Sequence, residues 1–304
     1  MMYNDVDFVL GKQVNEYKQE YDPKLLAREP RSRNRIQYDI TGKEFIGVDV
    51  WHCYEASFLL NNGMPQQGVL KIIYPSASEF IVESKSLKMY LFSLMMTAMG
   101  STVEKAEQTY VRHIKTDLSE LLGTDVTVKY FSTTTATPRL ISSPVPADSF
   151  LLDNIVTHDK KDINKIRHYE EAPDLLLQEP FEKGVISYHS HALRSRCKIT
   201  SQPDWGTVYI NMQGPRLPSY LSLYKYIVSF RNENHFHEEI VEAVYKRLQV
   251  LFKPAQITVA AFYTRRGGID INPVRTSNEN LTNGIGILPP LTNIKDINYR
   301  VFRS

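Results

Sequence analysis

The sequence predicts an α+β protein made of two similar halves, each an antiparallel sheet with two helices on one face. Two observations point to this class. In each half, the alternation of apolar residues that is typical of strands gives way to the spacing of three and four that is typical of helices. In addition, residues 86–94 align with residues 222–230, and both halves have the order hairpin, helix, helix, strand. We therefore divide the chain into modules 1–150 and 151–304.

The chain opens on a polar arm. Residues 1 to about 45 scatter Lys, Arg and Pro among few apolar residues, which predicts little hydrophobic core of their own. One basic run, residues 28–35, is interrupted by Glu29 and Pro30 and is typical of a solvated loop, with a phosphate contact as the alternative. The first residues lack the basic start and apolar stretch of a secretory signal, so none is expected.

The rest of the first half reads as hairpin, helix, helix, strand. Asn61-Asn62-Gly63 is a hairpin signal between two alternating runs. The first helix has its apolar residues on one face from Leu87 to Leu94. The second begins with a capping box at Ser101-Thr102-Val103-Glu104 and ends at Gly123, a typical helix C-cap. The predicted strands of this half are 47–55, 68–74, 80–82 and 126–131.

The second half follows a connection rich in Ser, Thr, Pro and charge, residues 132–147 and 157–174. Cys197 and Asp204 lie on a predicted hairpin, whose turn we assign to Pro203-Asp204-Trp205-Gly206 because Pro presets φ and Gly ends the reversal. The two arms of a hairpin fold together, so the thiol and the carboxylate are expected to face one pocket. The other predicted elements are strands near 184–188 and at 256–263, and helices at 220–230 and 238–252.

Composition excludes several classes of protein. The chain has 304 residues, 42% hydrophobic and 23% charged, and a net charge of +2, which predicts a globular protein without a nucleic-acid or membrane partner. No apolar run is long enough to span a membrane. The two cysteines make neither a disulfide framework nor a metal-type pair, and they fit a reducing cytoplasm. His189 and His191 with Cys197 lack a fourth ligand, so no metal site is expected, and Cys53 is expected to be a packed thiol.

The halves differ in their polar residues, which predicts one composite site. Glu83 and Lys85 align with uncharged residues of the second half, and Cys197 aligns with a leucine of the first. A thiolate is a strong nucleophile, and a carboxylic acid such as Asp204 beside it can supply a proton. The alternative is a buried inert cysteine and a structural aspartate.

Two further groups suggest what the site binds. Phe236-His237-Glu238 opens a helix, where acidic residues either cap the helix or accept N–H groups of a planar base. Lys85 stands near a helix start, where its charge opposes the helix dipole unless an anion such as phosphate binds there. Arg265-Arg266-Gly267-Gly268 is a second candidate anion site. No glycine-rich Rossmann turn is present, so a dinucleotide would bind in another way.

The octet Glu83-Ser84-Lys85-Ser86-Leu87-Lys88-Met89-Tyr90 resembles the signature of the 7-cyano-7-deazaguanine reductases, the nitrile reductases of queuosine biosynthesis. The segments 197–206 and 236–238 resemble catalytic segments of that family, in the order of its long, two-module form. The resemblance extends from about Gly47 to Pro273. It implies tandem tunnelling-fold modules, with antiparallel sheets and two helices each, that form a barrel on assembly. It also implies NADPH as reductant and a cytoplasmic homodimer.

The resemblance further implies residue roles. Cys197 attacks the nitrile carbon to form a thioimide, Asp204 activates the thiol and protonates the nitrogen, and His237 guides protons in later steps. NADPH supplies the hydride for this reduction and for that of the imine that follows. Because the run before Phe236 departs from the family pattern, His235 is a rival for the role of His237, although the adjacency of His237 to Glu238 favours His237. The expected substrate contacts are Val82, Glu83, Ser84, Phe236, His237 and Glu238. The expected cofactor contacts are Ser84, Lys85, Arg266 and Gly267.

Two other functions remain compatible with these residues. A thiol-dependent nitrile or amide hydrolase also needs a cysteine, a lysine and a carboxylate, but it uses water and no reductant. A non-catalytic purine-binding protein of the same fold would keep the glutamates and leave Cys197 and Asp204 unused.

Overall fold

The structure, a computed structural model, describes residues 20–133, 145–154, 166–178, 184–280 and 288–297. Its class is α+β, as predicted, because a large and mainly antiparallel sheet carries its long helices on one face. The strands are β1 (Arg28–Pro30), β2 (Ile46–Leu60), β3 (Pro65–Pro75), β4 (Phe80–Val82), β5 (Ala98–Gly100), β6 (Thr127–Ser132), β7 (Phe150–Leu151), β8 (Gly184–Ser190), β9 (Arg194–Cys197), β10 (Pro203–Gly214), β11 (Asn234–His235), β12 (Gln256–Tyr263) and β13 (Ile269–Thr276). The α-helices are α1 (Arg31–Arg35), α2 (Ser84–Leu94), α3 (Val103–Leu122), α4 (Tyr220–Ser229), α5 (His237–Phe252) and α6 (Pro289–Thr292).

The strand order shows how the halves are joined. In the first half β3 pairs with β2 and β6, and in the second half β10 pairs with β8 and β12. Strand β13 pairs with both β12 and β2, which makes one sheet of eleven strands. Both halves have the predicted order, because β3 and β10 are each followed by two long helices and a strand. Among the described strands the sheet does not close on itself, and β6 stands at one end.

Alternating residues of the strands face two different layers. On the helical side, α4 and α5 cover one core that includes Val208 and Ile210, and α2 and α3 cover another that includes Trp51 and Ile72. Residues between these point to the opposite face and pack in a third core, to which the segment 288–297 contributes. Burial of both faces of the sheet is the main source of stability.

The polar arm contributes more to the core than the sequence predicts. Tyr38, Ile40 and Phe45 are buried in the core of the second half. The ring of Phe45 lies 5.2 Å from that of Tyr245 on α5. The prediction is wrong because three apolar residues in an irregular segment show no periodicity, and their partners are remote in sequence. The first 19 residues of the arm, where no secretory signal is expected, lie outside the described residues.

The sequence predicts a solvated loop for the basic run 28–35, and this prediction is wrong as well. Arg31 and Arg35 are buried on α1. Arg31 Nη2 lies 2.5 Å from Asp49 Oδ2, and Arg35 Nε lies 2.7 Å from Glu242 Oε2. A buried guanidinium requires such a partner. Since these partners are on β2 and α5, the composition of the run itself does not reveal them.

The hairpin that carries Cys197 and Asp204 is present, but its turn is misplaced in the prediction. Strand β9 ends at Cys197 and β10 begins at Pro203, so the turn is residues 198–202. Ser201 takes the left-handed conformation there, with φ of 55°, which the sequence gives no reason to expect of a serine. Asp204 therefore lies within a strand, where its backbone is held by pairing with β9.

The start of α3 also differs by one residue. Thr102, rather than Ser101, is the N-cap, and its hydroxyl accepts the backbone N–H of Lys105. Gly123 ends the helix with φ of 63°, as its C-cap role predicts.

The connection predicted between the halves lies largely outside the described residues. Its described parts include a short 3-10 helix, Pro173–Leu175. Within the part of the chain that the structure describes, no helix has both the length and the apolar character needed to cross a membrane.

Candidate active site

A cavity of about 250 Å³ lies where the two halves meet. Every residue predicted for the site lines it, namely Val82, Glu83, Ser84, Lys85, Cys197, Asp204, Phe236, His237, Glu238, Arg266 and Gly267. The structure thus brings together residues from the β4–α2 junction, the β9–β10 hairpin, the start of α5 and the β12–β13 turn. Their chemical roles stay predictions.

The thiol stands at the end of a strand in a well-bonded turn. Cys197 is half-buried at the last position of β9. Its backbone N–H donates to the carbonyl of Gln202 over 2.8 Å, and its carbonyl accepts the N–H of Ser201 over 2.8 Å. These bonds fix the backbone on both sides of the turn, so the side chain has a defined position at the cavity wall.

Asp204 lies between two cationic or protonatable side chains. It is buried, and its Oδ1 is 2.9 Å from Arg266 Nε and 3.4 Å from His237 Nε2. The ring of His237 is stacked on that of Tyr263, with centroids 3.8 Å apart and planes within 9°. The stacking holds the imidazole in one orientation. A carboxyl group in this position can exchange a proton with a group in the cavity and with the imidazole.

The two candidate histidines, His235 and His237, have different partners in the structure. His237 is the one that contacts Asp204. His235 is buried, with its Nε2 3.0 Å from the hydroxyl of Tyr38 and its Nδ1 2.9 Å from Glu239 Oε1.

Glu238 is a buried carboxyl group on the cavity wall. Burial, followed by the negative charge of nearby Asp49, raises its pKa to about 8, against the opposing effect of Arg31. Within the described part of the chain its Oε1 has no hydrogen-bond partner. A buried acceptor without a partner is costly, so this atom suits a ligand that brings its own N–H groups.

Glu83, which is predicted to contact the substrate, also caps helix α2. It is the N-cap of α2, and its carboxylate accepts the backbone N–H groups of Lys85 and Ser86 over 3.0 and 2.6 Å. The sequence predicts that this helix begins near Ser86, whereas it begins at Ser84. The Glu83 cap therefore accepts backbone N–H groups at the start of α2, where the sequence analysis expected a phosphate to bind.

The cations of the site lie where helix α2 comes close to the β12–β13 turn. Lys85 is exposed and Lys88 is half-buried, three residues further along α2. Gly267 has φ of 54°, and a Cβ there would lie 2.5 Å from Lys88 Nζ. The positive φ favours glycine at this position, and a Cβ there would require the flexible end of Lys88 to move. Together with Arg266, these groups fit the phosphates of a dinucleotide.

Several cavity residues were not predicted. Lys88 could have been found, since it lies one helical turn from Lys85 on the same face. Trp51 and Thr264 line the cavity, and Tyr263 supports His237, but no sequence pattern identifies them.

Cys53, His189 and His191 are not among the residues that line the cavity. Cys53 is buried, and burial, with the charge of Asp270, raises its thiol pKa well above the ordinary value. His189 and His191 contact Ser149 and Thr207. The described residues contain no group of side chains arranged to hold a metal ion.

Both halves of the chain match known protein families. Residues 17–130 match the family described as "Nitrile reductase, 7-cyano-7-deazaguanine-reductase N-term", and residues 203–282 match the family described as "QueF-like protein". Curated proteins of Acinetobacter baumannii, strains AYE and ACICU, are each 36% identical over 88% of this chain and 93% of their own length. Both are named NADPH-dependent 7-cyano-7-deazaguanine reductase. A crystal structure of "the archaeosine synthase QueF-Like in the apo form" matches 33% of this chain and 96% of its own, at 16% identity and a TM-score of 0.28.

Proposed function

This chain belongs to the family of NADPH-dependent 7-cyano-7-deazaguanine reductases, and on that premise we propose how its composite cavity carries out the family's reaction. The reaction is the four-electron reduction of the nitrile of 7-cyano-7-deazaguanine to the amine 7-aminomethyl-7-deazaguanine, in queuosine biosynthesis. One observation carries the proposal. The predicted nucleophile, acid, base anchors and cofactor cations are far apart in sequence and line one cavity.

The deazaguanine is held by groups that match its edge and its faces. Glu238 offers an unpaired carboxyl oxygen to the ring N–H and amino donors of the base. Glu83 and Ser84 offer further acceptors from the start of α2, and Val82 and Phe236 offer apolar contacts to a planar ring. This arrangement directs the nitrile group toward the hairpin that carries the thiol.

The hairpin supplies the nucleophile and the acid. Cys197 Sγ forms a bond to the nitrile carbon, and its proton passes through Asp204 to the nitrile nitrogen, which gives a thioimide. In the reductions that follow, Asp204 and His237 supply protons to the nitrogen, since Asp204 Oδ1 and His237 Nε2 are 3.4 Å apart. The thiol is restored when the carbon–sulfur bond breaks.

NADPH supplies the hydride in each of the two reductions. Ser84, Lys85, Arg266 and Gly267 would hold it, with Lys88 as an additional cation beside Gly267. Because Arg266 Nε also lies 2.9 Å from Asp204, this residue joins the cofactor position to the acid.

We also propose that 1–150 and 151–304 are tandem tunnelling-fold modules and that two copies of the chain assemble a barrel. The open sheet supports this, since strand β6 ends the described sheet and an exposed edge strand is a place for a further strand to pair. A cytoplasmic location is supported by the two free cysteines.

The test is to mix the protein with 7-cyano-7-deazaguanine and NADPH and to follow nicotinamide absorbance and the amine product together. We expect two NADPH oxidised per nitrile, and no oxidation without the nitrile. Consumption of the nitrile with release of ammonia or carboxylate and no loss of NADPH would instead identify a hydrolase. Binding of the base without either change would identify a non-catalytic binding protein.

A further inference from the structure

A second cavity, of about 320 Å³, lies next to the active site and is more open to solvent. Its lining is polar and includes Gln37, Lys198 and Glu233. We call it the polar cavity. Among the residues that line these two cavities, His235 is common to both. The proposed reaction assigns it no role.

His235 is placed beside the nucleophile by backbone pairing. Strand β11 pairs with β9 in parallel, and His235 is the direct partner of Cys197 in that pairing. Residues paired across adjacent strands project from the same face of a sheet. The imidazole and the thiol are therefore neighbours, with the imidazole on the side of the polar cavity. The side chain is 5% exposed, so it has no direct access to bulk water.

The imidazole is surrounded by groups that exchange protons. Its Nε2 lies 3.0 Å from the Tyr38 hydroxyl and 3.1 Å from Glu233 Oε2, and its Nδ1 lies 2.9 Å from Glu239 Oε1. Nε2 thus has the Tyr38 hydroxyl as a hydrogen-bond partner, whereas Nδ1 lies within ion-pair distance of Glu239 and, among the described residues, makes no hydrogen bond. Glu233 lines the polar cavity and is the contact of this cluster with the solvent side.

Lys198 and Gln37 hold the Glu239 carboxylate of this cluster in place. Lys198 Nζ lies 3.3 Å from Glu239 Oε2, and Gln37 donates to Glu239 over 2.6 Å. Burial, and then the negative charges of Glu171, Glu239 and Glu233, raise the pKa of Tyr38 well above its ordinary value, against the effect of Arg247. The Tyr38 hydroxyl therefore keeps its proton and can both donate and accept.

We propose that His235 is a relay that carries protons from the polar cavity to the active site during the two reduction steps. The inference rests on the proposed function, because its reason is the proton balance of that reaction. Addition of the Cys197 thiol moves its own proton to the nitrile nitrogen and takes none from solvent. Each reduction then adds one hydride to carbon and one proton to nitrogen, and breakage of the carbon–sulfur bond returns a proton from nitrogen to sulfur.

The complete reaction therefore draws two protons from outside the site. In the proposed function the base and the cofactor both bind in this cavity, so we expect these protons to need a path through its wall. His235 stands in that wall between Cys197 and the polar cavity. A relay residue would be needed in the reductions and not in thioimide formation.

The test separates these steps in His235→Gln, which retains hydrogen bonding but has no imidazole to take up and release a proton. Thioimide formation is measured by mass spectrometry without NADPH, and turnover is measured with NADPH in H₂O and in D₂O. We expect adduct formation at the wild-type rate, a fall in kcat of about tenfold or more, and a larger solvent isotope effect. The matched control is His189→Gln, a half-buried histidine that lines neither cavity, and we expect wild-type values for it.

Rescue provides the second measurement. His235→Ala leaves space for added imidazole, which should restore turnover in proportion to its concentration. Unchanged kcat in His235→Gln would overturn the relay, and so would slow adduct formation or a loss that imidazole does not restore, since these indicate a structural role. Wild-type protein that forms the adduct but oxidises no NADPH would refute the proposed function itself. The wild-type protein is therefore assayed before the variants.

Discussion

At the scale of single residues, Glu238 behaves unlike a free glutamate. Burial and the charge of Asp49 raise its pKa from 4.5 to about 8, so the unliganded protein holds a proton there at neutral pH. The ring N–H and amino groups of a deazaguanine require the carboxylate form. Binding of the base should therefore expel a proton, and this has a measurable consequence.

We predict proton release when the base binds at pH 7, measured by titration calorimetry in two buffers of different ionisation enthalpy. The release should approach one proton per site and decline above about pH 8, where Glu238 is already ionised. In Glu238→Gln no proton should be released, and affinity should fall by about tenfold or more, because a hydrogen bond to a charged group is worth about 1.5–3 kcal/mol.

Stability supplies the control for this prediction. Because the folded pKa of Glu238 is raised, the folded state retains a proton that the unfolded state loses, so wild-type stability falls as pH rises from 4.5 to about 8. The Gln variant should not show this decline. Equal pH dependence of unfolding in the two proteins, or base binding without proton release, would show that Glu238 is ionised in the free protein.

The residues of the site were predictable to different degrees. Cys197, Asp204 and the Glu83–Lys85 group carry chemistry in their identity and in their placement near turns, so sequence alone singles them out. Contacts such as Arg266 to Asp204, and His237 on Tyr263, depend on how β12, β13 and α5 pack together. No local pattern in the sequence encodes such contacts.

At the scale of elements, the helix α1 shows why the polar arm belongs to the fold. Arg35 makes two bonds of 2.7 Å to the Glu242 carboxylate, and both side chains are buried. Its neighbour Arg33 is 69% exposed and is paired with Glu29 on the surface. The two arginines are a matched pair on one short helix.

We predict that Arg35→Ala destabilises the protein by about 1.5–3 kcal/mol, because it removes two hydrogen bonds from the buried Glu242 carboxylate, which keeps Arg275 as its partner. Arg33→Ala should cost about 0–1 kcal/mol, as exposed ion pairs do. Urea unfolding of both variants measures the difference. Similar small losses in both would mean that α1 is not anchored to α5, and the account of the arm would fail.

Elements with internal signals were predicted well. The end of α3 at Gly123 and the strand β12 (Gln256–Tyr263) are where capping chemistry and alternation place them. The arm and the turn at 198–202 were not, because their conformation depends on distant partners or on an unfavourable φ at Ser201. Local rules fail where tertiary contacts decide the conformation.

At the scale of the whole molecule, strand β13 makes two repeated halves into one sheet, and the cavity lies where the halves meet. The first half contributes the start of α2, and the second contributes the thiol, the acid and the buried glutamate. The central claim is that this single cavity reduces a nitrile through a covalent bond to Cys197.

Intact-protein mass spectrometry of the full chain with 7-cyano-7-deazaguanine tests that claim most directly. Without NADPH, wild-type protein and Cys53→Ala should each gain the mass of one nitrile base, while Cys197→Ala should gain none and still bind the base. Addition of NADPH should remove the added mass and yield the amine. An adduct on Cys197→Ala, an adduct located at Cys53, or turnover by Cys197→Ala would contradict the account.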